Sequence, residues 1–119
     1  MFDFQQCRDH CLMQLQSVED FPFGPDIYVY KVVGKIFAIL SEKEGVARVN
    51  LKCDPAEAVM LRDIFQAITP GYHMNKQHWN TVLLDGSVPD NEIKRQIENS
   101  YQLIVNSLPK AKRPALHSN

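Results

Sequence analysis

The alternation of hydrophobic and polar residues divides the first half of the chain into one helix and three strands. Apolar side chains recur at spacings of three and four over residues 3–18, which predicts an amphipathic helix. Two prolines and a glycine in residues 19–26 end that helix. Runs rich in Val, Ile, Tyr and Phe follow, separated by Gly34 and by residues 42–45, and they predict a three-stranded meander. The predicted strands are 27–33, 35–41 and 46–52.

Residues 54–57 have the composition of a helix start. Asp54 can accept the free amide hydrogens of a first helical turn, Pro55 suits the first helical position, and Glu57 completes a capping box. The apolar pattern of this helix ends at residues 69–71. The remaining predicted elements are a loop or short edge strand (72–78), a strand (79–84) and a last helix that begins near Pro89.

The element order is therefore helix, three strands, helix, one or two strands, helix. Helices separated from an antiparallel sheet in this way predict a two-layer α+β domain with the helices on one face of the sheet. We expect a single domain over residues 1–109. Residues 110–119 have three positive charges, a proline and no apolar pattern, so they predict a flexible C-terminal tail.

Composition places the chain among globular proteins. It has 119 residues, of which 45% are hydrophobic and 23% are charged, and its formal net charge is −1. A nucleic-acid-binding role would therefore depend on a local positive patch. Three cysteines are too few for a disulfide framework, and Cys7 and Cys11 fall on the apolar stripe of the first helix. Since there is no signal-peptide pattern and no membrane-length apolar run, we expect a cytoplasmic protein without membrane contact.

Signatures of catalysis are missing from the sequence. There is no GxSxG, P-loop, GxGxxG or HExxH motif, so we expect that the protein is not an enzyme and has no cofactor. His73 or His78 with Asp85 could form an acid–base pair, but any sequence with four histidines offers such pairs. A metal site at these histidines would need Cys53 or Asp85 as a further ligand. The ligand spacing of zinc sites is missing, so we expect no metal.

Strand alternation sorts the meander into two faces. With a two-residue turn near Gly34 and a four-residue loop at 42–45, one face is apolar and packs against the helices. The opposite face, here called the open face, would combine rings and cations, a mixture that suits base stacking and phosphate neutralisation. In the alternative interpretation, another part of the chain or a second subunit covers the rings. The predicted open-face residues are Tyr28, Tyr30, Lys35, Phe37, Arg48, Asn50 and Lys52.

Residues 72–80 form a second candidate site. They combine polar side chains with large rings, a composition that could hold a ligand or a phosphate backbone. Alternatively, the histidines satisfy backbone groups of an irregular loop while Trp79 fills the core. The candidate binding residues of this segment are His73, Asn75, Lys76 and His78.

Several stretches resemble the MmcQ/YjbR family of small bacterial proteins. The longest is residues 70–76 with 78–82. The match continues in Phe23-Gly24-Pro25-Asp26, residues 30–32 with 34–35 and 37–38, residues 50–55, residues 84–90 and Ser100-Tyr101. The resemblance runs from about residue 20 to the last helix. It implies a two-layer fold related to type III secretion chaperones. The family is often described as DNA-binding through a double-wing arrangement of its hairpins, and the resemblance provides no catalytic residues.

Two classes of function follow. The protein is a weak DNA-binding or regulatory domain that uses the open face and residues 72–80, or it is a chaperone-like module that binds a protein, a peptide or a second copy of itself through the same face. The first class requires one continuous positive surface, and the second requires one apolar patch. The residues concerned are Lys35, Arg48, Lys52 and Lys76 for the positive surface, and Tyr28, Tyr30 and Phe37 for the apolar patch.

Overall fold

The computed structural model describes residues 1–71 and 74–114. Helix α1 (Phe4–Leu12) is followed by strands β1 (Ser17–Asp20), β2 (Tyr28–Val32), β3 (Lys35–Lys43) and β4 (Val46–Lys52). Helix α2 (Pro55–Ile64), strands β5 (Ile68–Pro70) and β6 (Trp79–Leu83), helix α3 (Asp90–Ser107) and a 3-10 turn (Lys110–Lys112) come next. The strands of the described residues form one antiparallel sheet in the order β1-β2-β3-β4-β6-β5.

The helices pack on one face of this sheet, and the hydrophobic core lies between the two layers. Helices α1 and α3 contact the central strand β3, whereas α2 lies against the edge strand β5. Cys7 and Cys11 are fully buried in the core, as the apolar stripe predicts. The predicted two-layer α+β fold with helices on one face is therefore confirmed.

The first predicted helix is too long, and its second half contains an edge strand. Helix α1 ends at Leu12, and β1 pairs with β2. Gln16 has a φ angle of 61°, a left-handed conformation that cannot continue a right-handed helix. The apolar spacing over 3–18 includes Leu15 and Val18, but both side chains are exposed. They therefore add nothing to the buried stripe that would stabilise a longer helix.

The start of α2 agrees with the prediction for Asp54 and Pro55, but the predicted capping box is wrong, because the Glu57 carboxylate pairs with Arg95 at 2.8 Å instead. The carboxylate of Asp54 accepts hydrogen bonds from the backbone amides of Ala56 and Glu57, at 3.2 and 3.4 Å, and Pro55 occupies the first turn. Helix α1 has a comparable cap at Asp3, which the sequence analysis did not identify. Both helix starts thus depend on local side-chain acceptors for their free amide hydrogens.

Both turns of the meander contain two residues with positive φ angles. The turn at Val33-Gly34, with φ angles of 49° and 79°, has the predicted length. The second turn is Glu44-Gly45, so the predicted four-residue loop over 42–45 is wrong. As a result β3 and β4 pair two residues away from the predicted register. A shift of two leaves every β4 side chain on its predicted face.

A β-bulge in β3 changes which side chains face the helices. Tyr30 pairs with Ala38 and Lys31 with Ile36, so Phe37 has no partner on β2. Because strand side chains alternate, the extra residue reverses the predicted faces of β2. The predicted placement of Tyr28, Tyr30 and Phe37 on the open face is therefore wrong. Their rings belong to the core or pack against it. The alternative interpretation, in which another part of the chain covers these rings, is therefore the correct one.

Ser100 of α3 bonds to the sheet at this bulge. The β3–β4 pairing stops at Ala38 and Leu51, and the next positions would be Phe37 and Lys52. The hydroxyl of Ser100 donates to the carbonyl of Phe37 at 2.6 Å and accepts from the amide of Lys52 at 2.9 Å. Ser100 is fully buried beneath α3. Water does not reach the Phe37 carbonyl and the Lys52 amide there, so the Ser100 hydroxyl supplies their hydrogen-bond partner.

The side chain of Glu19 joins α1, β1 and β2. Its carboxylate accepts two bonds from the guanidinium of Arg8, at 2.8 and 3.0 Å, and one from the hydroxyl of Tyr30, at 2.8 Å. The bonds from Arg8 are the main reason that the pKa of Glu19 lies below its ordinary value. Burial together with the Glu19 carboxylate raises the pKa of Tyr30, so this phenol stays protonated and donates.

The start of the predicted tail folds back on α3. Arg113 donates to the carbonyls of Leu108 and Asn106, at 3.0 and 2.9 Å, and Pro114 is buried. Residues 115–119 lie outside the described residues. In the described part of the chain, no helix has the length and apolar character needed to cross a membrane.

Replacing Ser100 with alanine is expected to destabilise the protein by about 2–4 kcal/mol, because the Phe37 carbonyl and the Lys52 amide would each lose a partner. Urea unfolding at neutral pH measures this loss. The matched control is Ser107→Ala at the exposed end of the same helix, where the hydroxyl bonds only to the Ile104 carbonyl. The control should cost less than about 0.5 kcal/mol. Equal losses in the two variants would contradict the role given to Ser100.

Replacing Glu19 with glutamine is expected to reduce the stability at neutral pH by about 1–2 kcal/mol, because the charge-assisted bonds from Arg8 are lost. Since folding lowers the pKa of Glu19, its contribution is complete above the ordinary glutamate pKa of about 4.3 and declines as the pH falls below it. Urea midpoints of wild type and variant should therefore converge in acid. Glu42→Gln, at an exposed position, should show no such gap. A Glu19→Gln gap that persists in acid would contradict the assignment.

Candidate functional site

A groove of about 560 Å³ lies on the open face, the side of the sheet opposite the helices. This volume is within the range of ligand clefts in proteins. Apolar side chains from β3, from the segment before β2 and from the segment before β6 line much of it. These apolar lining residues are Phe23, Ile27, Ile36, Ile39 and Met74. The open face therefore offers a mainly aliphatic surface, joined by the exposed ring of Phe23, where the rings of Tyr28, Tyr30 and Phe37 were predicted.

Strand register brings the groove residues together from distant parts of the chain. Ile39 pairs with Asn50, Asn50 with Thr81, and Thr81 with Thr69. Directly paired residues of an antiparallel sheet point to the same face, so these side chains form one row. Val29 pairs with Ile39 and extends the row to a fifth strand. One end of this row is aliphatic and the other can form hydrogen bonds.

The charged residues of the groove are both cations. Neither Lys43 nor Arg48 forms an ion pair within the described residues, and no carboxylate lines the groove there. The groove therefore attracts negative charge without an internal counter-charge. Its polar lining residues are Ser41, Lys43, Arg48, Asn50, Thr69 and Thr81.

Arg48 is the arginine whose hydrogen bonds the described residues do not satisfy. Its Nε atom is buried and has no hydrogen-bond partner. An unpartnered buried donor costs about 1–3 kcal/mol, more when the group is charged. The other arginines all donate to acceptors within the chain: Arg8 to Glu19, Arg62 to Asn80, Arg95 to Glu92 and Arg113 to backbone carbonyls. Arg48 lines the groove, so its terminal nitrogens, unlike the buried Nε, can donate hydrogen bonds to a ligand there.

Asn50 and Thr81 provide neutral polar groups beside Arg48. The hydroxyl of Thr81 donates to the amide oxygen of Asn50 across the β4–β6 pair. Since the amide oxygen of Asn50 accepts this bond, the NH2 group of the same amide is directed away from Thr81 and can donate to another group. An exposed hydroxyl at Thr69 follows in the same row. These groups can pair with the amides and carbonyls of an extended polypeptide.

The structure separates the cations that were predicted to form one surface. Arg48, Asn50 and Lys52 alternate along β4 on the open face, as predicted, and the first two line the groove. Lys35 is exposed at the β2–β3 turn, where it pairs with the core residue Val32. The predicted continuous positive surface is therefore reduced to the part that lies on β4.

The aromatic rings predicted for this surface pack inside the domain. Tyr28 meets Phe4 edge to face, with ring centroids 5.1 Å apart. Phe37 meets Tyr101 in the same geometry at 5.4 Å, and Tyr30 is fully buried. Edge-to-face packing of this kind stabilises a core, and it leaves these three rings unable to stack on a ligand at the open face.

The segment 72–80 contributes Met74 to the groove, and its other described residues lie elsewhere. The carbonyl of Asn75 accepts from the amides of His78 and Trp79, and the carbonyl of His78 accepts from the amide of Cys53 at 2.7 Å. These bonds support the structural interpretation of the loop. Lys76 lines a separate depression beside α2. His73 lies outside the described residues.

Sequence reasoning missed the aliphatic half of the groove. Ile39 shares its strand face with Arg48 in the predicted pairing as well as in the structure, so its position could have been recognised. Ile27 and Ile36 had no such signal, because their faces depend on the bulge at Phe37. Thr69 and Met74 reach the groove through a pairing between distant segments, β5 with β6.

The described residues provide no metal centre. No group of three His, Cys, Asp or Glu side chains within 1–71 and 74–114 could hold an ion. Burial raises the pKa of the Cys53 thiol to about 12, and nearby Glu57 adds to this effect. Cys53 is thus a neutral thiol at physiological pH in the metal-free protein.

The fold and the groove define a small α+β domain whose sheet has one face covered by helices and a groove on the other face. The YjbR family model matches residues 14–103 of the chain. This match covers most of the sequence, and the chain belongs to the YjbR family.

Known relatives agree with this assignment. Protein YbdF of Escherichia coli O157:H7 is 42% identical over 89 residues, which are 75% of this chain and 73% of YbdF. YjbR of Escherichia coli K12 is 44% identical over 86 residues, 72% of this chain and 73% of YjbR. The crystal structure of Deinococcus radiodurans protein DR2400 has a TM-score of 0.85 and 35% identity, with 92% of this chain and 84% of that chain covered. The family and the fold are therefore both confirmed.

Replacing Arg48 with methionine is expected to leave stability unchanged or to raise it by up to about 1 kcal/mol, since the unpaired donor is removed and the apolar stem is kept. The control is Arg62→Met, which removes a 2.8 Å bond to the buried amide of Asn80. The control should lose about 1–3 kcal/mol in urea unfolding. Destabilisation of both variants by similar amounts would show that Arg48 has a structural role.

Proposed function

We propose that this protein is a non-catalytic binding module and that it holds a segment of another protein in the open-face groove. The observation that supports this most strongly is a half-buried aliphatic surface beside an arginine whose Nε has no partner. Ile36 and Ile39 lie on the open face although burial of such side chains stabilises folding. Exposed apolar surfaces with polar edges are typical of interaction sites.

The hydrogen-bonding groups of the groove favour a polypeptide as ligand. Ser41, Asn50 and Thr81 stand among the aliphatic residues, and each can donate or accept. An extended chain presents amide donors and carbonyl acceptors at regular intervals, so it can satisfy such a mixed surface. This function corresponds to the second of the two classes suggested by the sequence, with isoleucine in place of the predicted rings.

Weak DNA binding is the second candidate, supported by three cations on one side of the molecule. Lys43 and Arg48 line the groove, and Lys52 follows Arg48 on the open face of β4. Two observations argue against it. Tyr28, Tyr30 and Phe37 are not available for base stacking, and apolar side chains line the same groove as Lys43 and Arg48.

The proposed module operates in a reducing compartment such as the bacterial cytoplasm. All three cysteines are buried free thiols, Cys7 and Cys11 on α1 and Cys53 after β4. Free buried cysteines behave as small hydrophobic residues and suit an environment that keeps thiols reduced.

The test is a nuclear magnetic resonance titration of labelled protein. The probe is a hexapeptide pool with free C-termini whose last three positions are Ala, Val, Leu or Ile. We expect amide shifts concentrated at Ile39, Asn50 and Thr81, since the ligand covers this row. Ile39→Asp should remove the shifts because it places a charge in the aliphatic surface. The matched control Val59→Asp changes an exposed residue of α2 and should leave them intact.

A generic DNA duplex of roughly 20 base pairs at about 50 mM salt is the competing probe. Shifts at the same amides with the duplex and none with the peptides would favour nucleic-acid binding. No shift with either probe would refute the proposed function. Light scattering on the free protein covers the remaining case, because a stable dimer that buries Ile39 would leave no open groove.

A further inference from the structure

We infer that Arg48 binds the C-terminal carboxylate of a partner protein whose last residues are aliphatic. The inference rests on the proposed function and identifies the chemical group that the groove recognises. Its basis is the combination of an unsatisfied guanidinium, a second unpaired cation and an adjoining row of isoleucine side chains.

The guanidinium of Arg48 matches a carboxylate in charge and in geometry. Its buried Nε atom has no acceptor. The terminal nitrogens also make no hydrogen bond to any described residue. A carboxylate can accept from both terminal nitrogens of a guanidinium at the same time, which is a two-bond geometry common for arginine. Lys43 adds positive charge, and no lining residue of the described chain opposes it.

The order of side chains along the groove favours the C-terminal end of a polypeptide as the ligand. Lys43 and Arg48 lie next to the Glu44-Gly45 turn, whereas Ile39 and Ile36 lie toward the opposite end of the strand. A C-terminus has the same arrangement, because its carboxylate stands at one end and its last side chains lead away from it. The aliphatic stretch therefore selects the residues that precede the carboxylate.

A fatty acid has the same charge and an apolar tail, but it fits the groove less well. Asn50, Thr69 and Thr81 would face its hydrocarbon chain without hydrogen-bond partners. Polar groups covered by hydrocarbon without a partner are costly. The backbone of a peptide can bond to these side chains, so the groove favours a polypeptide over a lipid.

Two hexapeptide pools test the inference. Both have Ala, Val, Leu or Ile at the last three positions, and one ends in a free carboxylate while the other ends in an amide. Retention on immobilised protein is measured by mass spectrometry. The free-acid pool should be retained about 10- to 100-fold better by wild type, because bonds between charged groups are lost with the amide.

Arg48→Met should retain both pools equally, at the level that wild type shows for the amide. Lys94→Met, which removes the same charge from an exposed position of α3, should keep the wild-type preference. Urea midpoints of both variants establish that they are folded before the comparison.

Each other outcome has a definite meaning. Equal retention of both pools by wild type overturns the carboxylate assignment and leaves the proposed binding module intact. A preference that survives in Arg48→Met overturns the role of Arg48. Competition by decanoate as strong as that by the free-acid peptides overturns the choice of a polypeptide. Retention of neither pool overturns both the inference and the proposed function.

Discussion

The bulge at Phe37, and the hydroxyl of Ser100 that bonds to it, determine both faces of the sheet. Without the extra residue in β3, Tyr28 and Tyr30 would point away from the helices and Lys31 would point into the core. A bulge leaves backbone groups outside the sheet ladder, and here Ser100 supplies their partners from the opposite layer. The buried side chain of Ser100 thus stabilises an arrangement in which the rings of Tyr28 and Tyr30 face the core and Ile36 faces the open side of the sheet.

The open face contains a feature that lowers the stability of the free protein, as binding surfaces often do. Most of the domain follows ordinary rules: the two helix starts at Asp3 and Asp54 have caps, and Glu19 satisfies both Arg8 and Tyr30. Arg48 breaks them, because a buried donor is left without an acceptor. Such departures concentrate where a protein meets a ligand, since the ligand completes interactions that the free protein lacks.

Local chemistry explains which features the sequence analysis predicted correctly. The cap of α2 depends on Asp54 and its nearest neighbours, and the alternation along β4 places Arg48 and Asn50 on one face whatever their partners. The missed features depend on distant residues. Strand β1 exists because it pairs with β2, and the aliphatic groove exists because Ile39 meets Asn50 and Thr81 across three strands.

By itself, the sequence determined the two-layer α+β fold, the helix start at Asp54 and the open-face position of Arg48. Hydrophobic periodicity and capping act over a few residues, so they can be recognised in a linear chain. Only the tertiary structure decided the faces of Tyr28, Tyr30 and Ile36. Strand faces have a period of two, and a single unpaired residue reverses them. The bulge at Phe37 is stable because the hydroxyl of Ser100, more than sixty positions away in the sequence, bonds to the backbone carbonyl that the bulge leaves outside the β-ladder.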